Sequence, residues 1–192
     1  MTIKNQRILL DKKYIGTTEK PYFIAEMSGN HNGDLNVAKK LILSAKNAGA
    51  DAVKLQTYRL DTITINHDSS DFIISDGTWT GKKLYDLYDE AHTPWEWHDE
   101  LFSYARKLDI TIFSSPFDHT AIELLQALNA PAYKLASPEI VDLNLIQEIS
   151  KTNKPIIVST GMATADEISE AIEVIKTSGK SEIILLHCIS GY

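Results

Sequence analysis

A lysine inside an apolar run is costly to bury unless an anion or a reaction requires it there. Ala132-Tyr133-Lys134-Leu135-Ala136-Ser137-Pro138-Glu139 sets one in such a run and follows it at once with a serine and a glutamate. The same pattern of apolar residues ending in chemically capable ones recurs along the chain. It appears at Phe23-Ile24-Ala25-Glu26, Ala52-Val53-Lys54-Leu55-Gln56, Ile110-Thr111-Ile112-Phe113-Ser114-Ser115, Ile156-Ile157-Val158-Ser159-Thr160 and Ile184-Leu185-Leu186-His187. Brought to one place, these ends gather Glu26, Lys54, Gln56, Ser114, Ser115, Lys134, Ser137, Glu139, Ser159, Thr160, His187 and Ser190. Lysines supply point charge to a phosphate or carboxylate, and hydroxyls supply directional hydrogen bonds. Glu26 and Glu139 beside them can move protons or orient water, so the set describes a small anionic substrate held next to an acid/base pair.

Plainer roles compete for each group. Lys54 and Lys134 could pair with structural carboxylates, and Ser114, Ser115, Ser159 and Thr160 could cap the helices that follow. His187 reads as locally hydrogen-bonded rather than as a metal ligand. Trp95 and Trp97 read as packing, and Cys188 as a buried structural thiol.

The elements that must position these residues alternate. Arg7–Leu10 and Tyr14–Gly16 read as an N-terminal hairpin, a plug within residues 1–20. Tyr22–Met27 is apolar without period-2 alternation, the pattern of a strand covered on both faces. Asp34–Ala48 has helical spacing and ends at Gly49, a C′ glycine. Ala52–Gln56 is the next strand, and residues 57–92 form a long polar insertion after it, of the kind that is more often functional than accidental. Thr93-Pro94-Trp95-Glu96 reads as a capping box opening a helix to Lys107, and Thr164-Ala165-Asp166-Glu167 as another, whose helix stops near Gly179. Strands at Ile110–Ser114, Ala132–Ala136, Pro155–Ser159 and Glu182–His187, with helices from Asp118 and Asp142, complete the pattern.

About six βα units in this cadence predict an α/β fold, the N-terminal portion of a (β/α)8 TIM-type barrel, whose usual size is about 250 residues. An open doubly wound sheet would alternate similarly, but Gly29 and Gly33 do not match its glycine-rich phosphate turn. Residues 1–192 therefore read as a partial barrel domain, a truncated piece with raw strand edges.

Composition is that of one globular core: 192 residues, 43% hydrophobic and 23% charged. A formal net charge of -7 argues against nucleic acid or an anionic membrane as partner. With one cysteine and no leader-like or long apolar segment, the expected location is cytoplasmic.

Several motifs together carry a resemblance: Phe23-Ile24-Ala25-Glu26 with Asn30-His31-Asn32-Gly33, Lys54-Leu55-Gln56-Thr57, Lys134 to Glu139, Ser159-Thr160-Gly161-Met162 and Leu186-His187-Cys188. In these the chain resembles the sialic acid synthase family, and Gly77-Thr78-Trp79-Thr80-Gly81 through Trp97-His98 is similar to its pseudaminic acid branch. The resemblance implies condensation of phosphoenolpyruvate with an N-acetylated amino sugar. For that branch the sugar is 2,4-diacetamido-2,4,6-trideoxy-L-altrose, and the products are pseudaminic acid and phosphate, on the nonulosonic acid route to surface glycans. Carried over by motif, Lys54, Ser115, Lys134, Ser137 and Ser159 would hold phosphoenolpyruvate, with Ser190 at a neighbouring contact where many members carry asparagine. Glu26 would sit beside a metal and the attacking water, and Gln56, Glu139 and Tyr192 would face the sugar.

The resemblance also implies a divalent cation, Mn2+ or Mg2+, which polarises the aldehyde and acidifies water. The family's metal histidines lie in Ser-Asp-His and Glu-Arg-His-Phe motifs that do not occur here, so the ligands are expected beyond Tyr192. Its C-terminal antifreeze-like domain, which caps the partner's site in a homodimer, is likewise not in the sequence. A chain ending at Tyr192 is accordingly expected not to turn over. The alternatives are an N-acetylneuraminate or legionaminate synthase, a Schiff-base aldolase using Lys134, and a non-catalytic fragment that binds a ligand or partner through its open edges.

Overall fold

The computed structural model describes residues 7–188. Two strands, β1 (Arg7–Leu10) and β2 (Lys13–Gly16), pair antiparallel around a turn in which Asp11 takes a positive φ of 54°. Then follow β3 (Ile24–Glu26), α1 (Leu35–Asn47) and β4 (Ala52–Thr57). The insertion after β4 is not simply a polar excursion: it contains α2 (Leu60–Ile63), a 3-10 turn at Ser70–Phe72 and α3 (Leu84–Ala91). The regular alternation resumes with α4 (Trp97–Lys107), β5 (Thr111–Pro116), α5 (His119–Ala127), β6 (Tyr133–Leu135), α6 (Leu143–Lys151), β7 (Ile156–Ser159), α7 (Ala165–Ser178) and β8 (Ile183–Leu186).

Strands β3 to β8 form one all-parallel sheet in sequential order, a curled half-barrel. A doubly wound sheet would reverse its order at a switch point, and this one does not. Each strand turns alternate residues to opposite faces. On the outer face Val53, Leu55, Ile112, Tyr133, Leu135, Ile156 and Val158 pack with the inward stripes of the helices into the larger core. On the inner face a second, smaller core joins Ala52, Phe113, Ala132 and Ile157 to Leu10 of the hairpin. Leu10 thus plugs the end of the sheet where its strands begin. The hairpin is fastened there by Lys13 to Asp51, Lys12 to Asp109, and a 2.7 Å hydrogen bond from Thr111 to Asp11.

Short polar side chains start the helices. Asp34, Asp118 and Asp142 accept from first-turn N–H groups of α1, α5 and α6, and Thr164 with Glu167 forms the capping box of α7. The box read at Thr93 is not formed. Glu96 is the N-cap residue of α4, without a side-chain cap, because the Thr93 hydroxyl faces the buried His31 instead. Helix ends show a regularity beyond glycine: Gly49, Asp109, Asn129 and Asn153 follow α1, α4, α5 and α6 at positive φ of 86°, 54°, 54° and 56°. Gly179 differs. It ends α7 in an extended conformation, and glycine is needed because a Cβ would lie 2.0 Å from the Ser150 carbonyl oxygen. No helix among the described residues is long and apolar enough to cross a membrane.

Because Leu10 is fully buried in a small core with little room to relax, Leu10→Ala should destabilise the fold by about 2–5 kcal/mol. Its neighbour Leu9 is 44% exposed, and Leu9→Ala should cost no more than about 0.5 kcal/mol. Urea melts of both variants check this, and equal losses would contradict the plug.

Candidate active site

The alternation that builds the inner core also builds what lies above it. One step beyond Ala52, Phe113, Ala132 and Ile157 along the strands come Lys54, Ser115, Lys134 and Ser159, with Glu26 in register with Lys54 and Gln56 with Ser115. An apolar floor therefore carries a polar layer at the ends where the strands finish, the end at which barrel enzymes place their chemistry.

Within that layer Lys54 Nζ lies 2.6 Å from Glu26 Oε2 and donates to Ser115 Oγ at 3.3 Å. Lys134 donates to Ser159 Oγ and, at 2.8 Å, to the Leu135 carbonyl. Neither serine caps a helix, since Asp118 and Thr164 already do so. Lys134 is only 8% exposed, and no carboxylate reaches it within ion-pair distance among the described residues. Its pKa is pushed down to about 8, first by burial and then by the charge of Lys54, against weaker support from Cys188, Glu26 and Glu139. Two ammonium groups feeling each other in a dry layer make a site that gains by receiving an anion.

Ser137 and Glu139 sit just past β6, on a 3-10 turn at Pro138–Val141. Ser137 is half-buried and makes no cap. Burial pushes the Glu139 carboxyl above its usual range, and its Oε2 is buried with no hydrogen-bond partner among the described residues. A carboxyl oxygen left this way is poised for a donor from a ligand.

Not every residue read into the mouth is there. Ser114 points to the outer face, as its neighbour Ser115 pointing inward requires. It forms a buried chain in which Ser114 Oγ donates to Thr57 Oγ1 at 2.6 Å and Thr57 donates to His98 Nε2 at 2.9 Å. The His98 Nδ1–H faces the carbonyls of Pro94 and Trp95, which sets the tautomer, and burial holds the ring's pKa below its ordinary value. Thr160 donates to the Leu186 carbonyl at 3.0 Å, and His187 is exposed beyond β8. Cys188 is half-buried rather than part of a core. Burial pushes its thiol up, but Ser159, the N–H groups of Gly161 and Thr160, and Lys134 together hold it below the usual thiol range. Ser190 and Tyr192 lie outside the described residues.

The loop after β3 adds groups that the strand-end pattern does not reveal. The Ser28 N–H donates to Glu26 Oε1 at 3.1 Å, and Ser28 Oγ contacts Gln56 Oε1 at 3.4 Å. Only its position two residues past Glu26 hints at this role. For a metal, the donor set is insufficient: among the described residues no three His, Cys, Asp or Glu side chains come together, and Glu26 is engaged with Lys54.

Comparison with known proteins adds ancestry to this geometry. Residues 41–192 match the NeuB family. The chain is 51% identical over 174 residues to a pseudaminic acid synthase of Helicobacter pylori, and 47% identical over 176 residues to one of Campylobacter jejuni. These alignments cover 91% and 92% of this chain and 51% of each relative, so the chain spans about half the length of the curated relatives it matches. Among solved structures, an N-acetylneuraminic acid synthetase from Leptospira borgpetersenii in complex with citrate superposes with a TM-score of 0.85 at 30% identity. That match covers 98% of this chain and 61% of the other.

The displaced Lys134 pKa makes a signed prediction. Folding lowers it from 10.5 to about 8, so between those pH values the unfolded chain binds the extra proton and stability rises with pH. Relative to Lys134→Met, the wild type should gain on the order of 2–3 kcal/mol as pH goes from 7.5 to 10.5. Paired urea melts across that range measure the difference, and a pH-independent gap would contradict it.

Proposed function

The chain belongs to the NeuB family, and from that premise we propose that the protein is a nonulosonic acid synthase that condenses phosphoenolpyruvate with 2,4-diacetamido-2,4,6-trideoxy-L-altrose to give pseudaminic acid and phosphate. Relatives named pseudaminic acid synthases, at 51% and 47% identity, support the choice of branch. The observation that carries the reading is the pair of lysines on one inner face, each bonded to a serine on the next strand, with the orphaned Glu139 carboxyl oxygen in the field of Lys134.

In this reading Lys54 and Lys134 bind the phosphate and carboxylate of phosphoenolpyruvate, and Ser115, Ser137 and Ser159 fix its orientation. C3 of the enol forms the new bond to the sugar's aldehyde carbon, whose oxygen takes a proton. Water adds at C2 and gives up one proton, which balances the one taken by the aldehyde oxygen; as the C2–O bond to phosphate breaks, the second proton leaves with the phosphate and the C2 carbonyl of the keto acid forms. Glu26, aligned by Lys54 and by the Ser28 N–H, serves the water side. Glu139, which holds its proton above the usual range, and Gln56 serve the sugar side. The divalent cation, Mn2+ or Mg2+, would take its ligands from outside the described residues, and none of these steps is routed through it. The remaining barrel strands and a second small domain would likewise come from sequence beyond these residues, in a cytoplasmic homodimer.

One observation favours a second reading, a Schiff-base aldolase: the Lys134 amine is held down to about 8, which frees a nucleophile near neutral pH. Borohydride with pyruvate separates the two. An adduct on Lys134 supports the aldolase, whereas condensation with phosphate release and no adduct supports the synthase.

Lys54→Met and Lys134→Met should each weaken phosphoenolpyruvate binding by about tenfold or more, the loss expected for one charged hydrogen bond. Ser114→Ala, which alters only the outer face, should leave binding within about twofold. Calorimetric titration of the whole protein checks all three. Equal affinities for the two lysine variants and the wild type would remove the anion site.

A further inference from the structure

We propose that His31 is a positioning residue for this condensation. Its neutral ring fastens the loop between β3 and α1, which touches Gln56 on the sugar side and Glu26 on the water side, to the returning end of the insertion, so that loop and insertion move as one body. The inference rests on the synthase reading for its chemistry, but not for its structural part.

His31 is fully buried although it lies in a polar loop. Both ring nitrogens are used. The Gly33 N–H donates to Nδ1 at 3.2 Å, so the proton sits on Nε2 and is donated to Thr93 Oγ1 at 3.3 Å, across 62 residues of sequence. The ring stands edge-on to Trp97, with centroids 5.4 Å apart at 72°. Burial and the neighbouring His92 hold it below its ordinary pKa, in keeping with a neutral ring. A second contact runs parallel to this bond: Gly29 lies so near the last residue of α3 that a Cβ would come 2.8 Å from the Ala91 carbonyl oxygen. Within the insertion itself, Tyr58 Oη donates to the Tyr88 carbonyl at 3.3 Å. The returning end of the insertion is therefore held at three successive points.

The other end of the loop reaches the chemistry. Ser28 donates its N–H to Glu26 and contacts Gln56 through Oγ. Ser28 holds φ of 49°, a left-handed conformation disfavoured for a residue with a Cβ, which a loop keeps only where its surroundings over-determine it; Asn32, of a type that enters this region readily, holds 50°. His31 supplies one of those constraints. A core histidine without this role would stabilise the fold without affecting one substrate more than the other.

The test uses Thr93→Val, which keeps shape and removes the hydroxyl, Thr93→Ser, which restores it, and His31→Gln, all in the whole protein. We expect Thr93→Val and His31→Gln to raise KM for the acetamido sugar about fivefold or more, with KM for phosphoenolpyruvate within about twofold, as loss of one buried hydrogen bond on the sugar side implies. Thr93→Ser should behave as wild type. Hydrogen exchange should quicken together in residues 28–33 and 84–93 and stay unchanged in β4 to β7. Equal changes in both KM values, or exchange that quickens in one segment only or across the whole chain, would overturn the proposal. If the protein condenses no acetamido sugar, the synthase reading fails while the exchange result still decides whether the loop and insertion are coupled.

Discussion

The ammonium of Lys134 is kept almost entirely from water and given two neutral acceptors but no carboxylate within ion-pair distance among the described residues, while a second lysine on the same inner face adds repulsion. Burying a cation this way opposes folding. It is tolerable only if the surrounding sheet is stable enough to hold the geometry against that cost, and the two-core architecture provides that. Helices cover the outer face, and the hairpin closes the apolar floor beneath the lysines, so the polar layer rests on packed side chains rather than on loops. The site's tension is thus the counterpart of the anion binding proposed for it, as is common where stability and binding compete.

The groups around the lysines divide into two sides. Serines on β5 and β7 hold the amines. Glu26, Gln56 and Glu139 line the rest of the mouth, and two of these three are touched by Ser28 in the loop after β3. That loop and the insertion bear on each other through Gly29 and His31, so the segment most different from a regular βα connection is tied to the loop that touches Glu26 and Gln56.

Much of this was legible in sequence because apolar runs that end in polar residues are the direct imprint of strands covered on both faces. The six-strand alternation and the gathering of lysines and hydroxyls at one end of the sheet follow from that imprint. What was not legible was parity and partnership. Ser114 and Ser115 look alike in a list of strand ends, yet only one can face inward, and the other belongs to the Thr57 and His98 chain. Thr93 has the sequence form of a cap, but its hydroxyl is taken by a histidine far away in the chain, which local spacing cannot report. Asp109, Asn129 and Asn153 end helices in the left-handed region where a reading attuned to glycine overlooks them. Cys188, read as buried, is half-exposed because β8 is an edge of the described sheet, with Leu185 and Leu186 also exposed there.

The anion site stands or falls on whether the Lys134 charge is unfavourable in the free protein and rewarded by an anion. Nuclear magnetic resonance of lysine labelled at Cε, titrated with and without phosphoenolpyruvate, measures this directly. Lys134 should show a free-state pKa near 8 that rises when the anion is bound. A Lys134 pKa near 10.5 that does not move on adding phosphoenolpyruvate would contradict it.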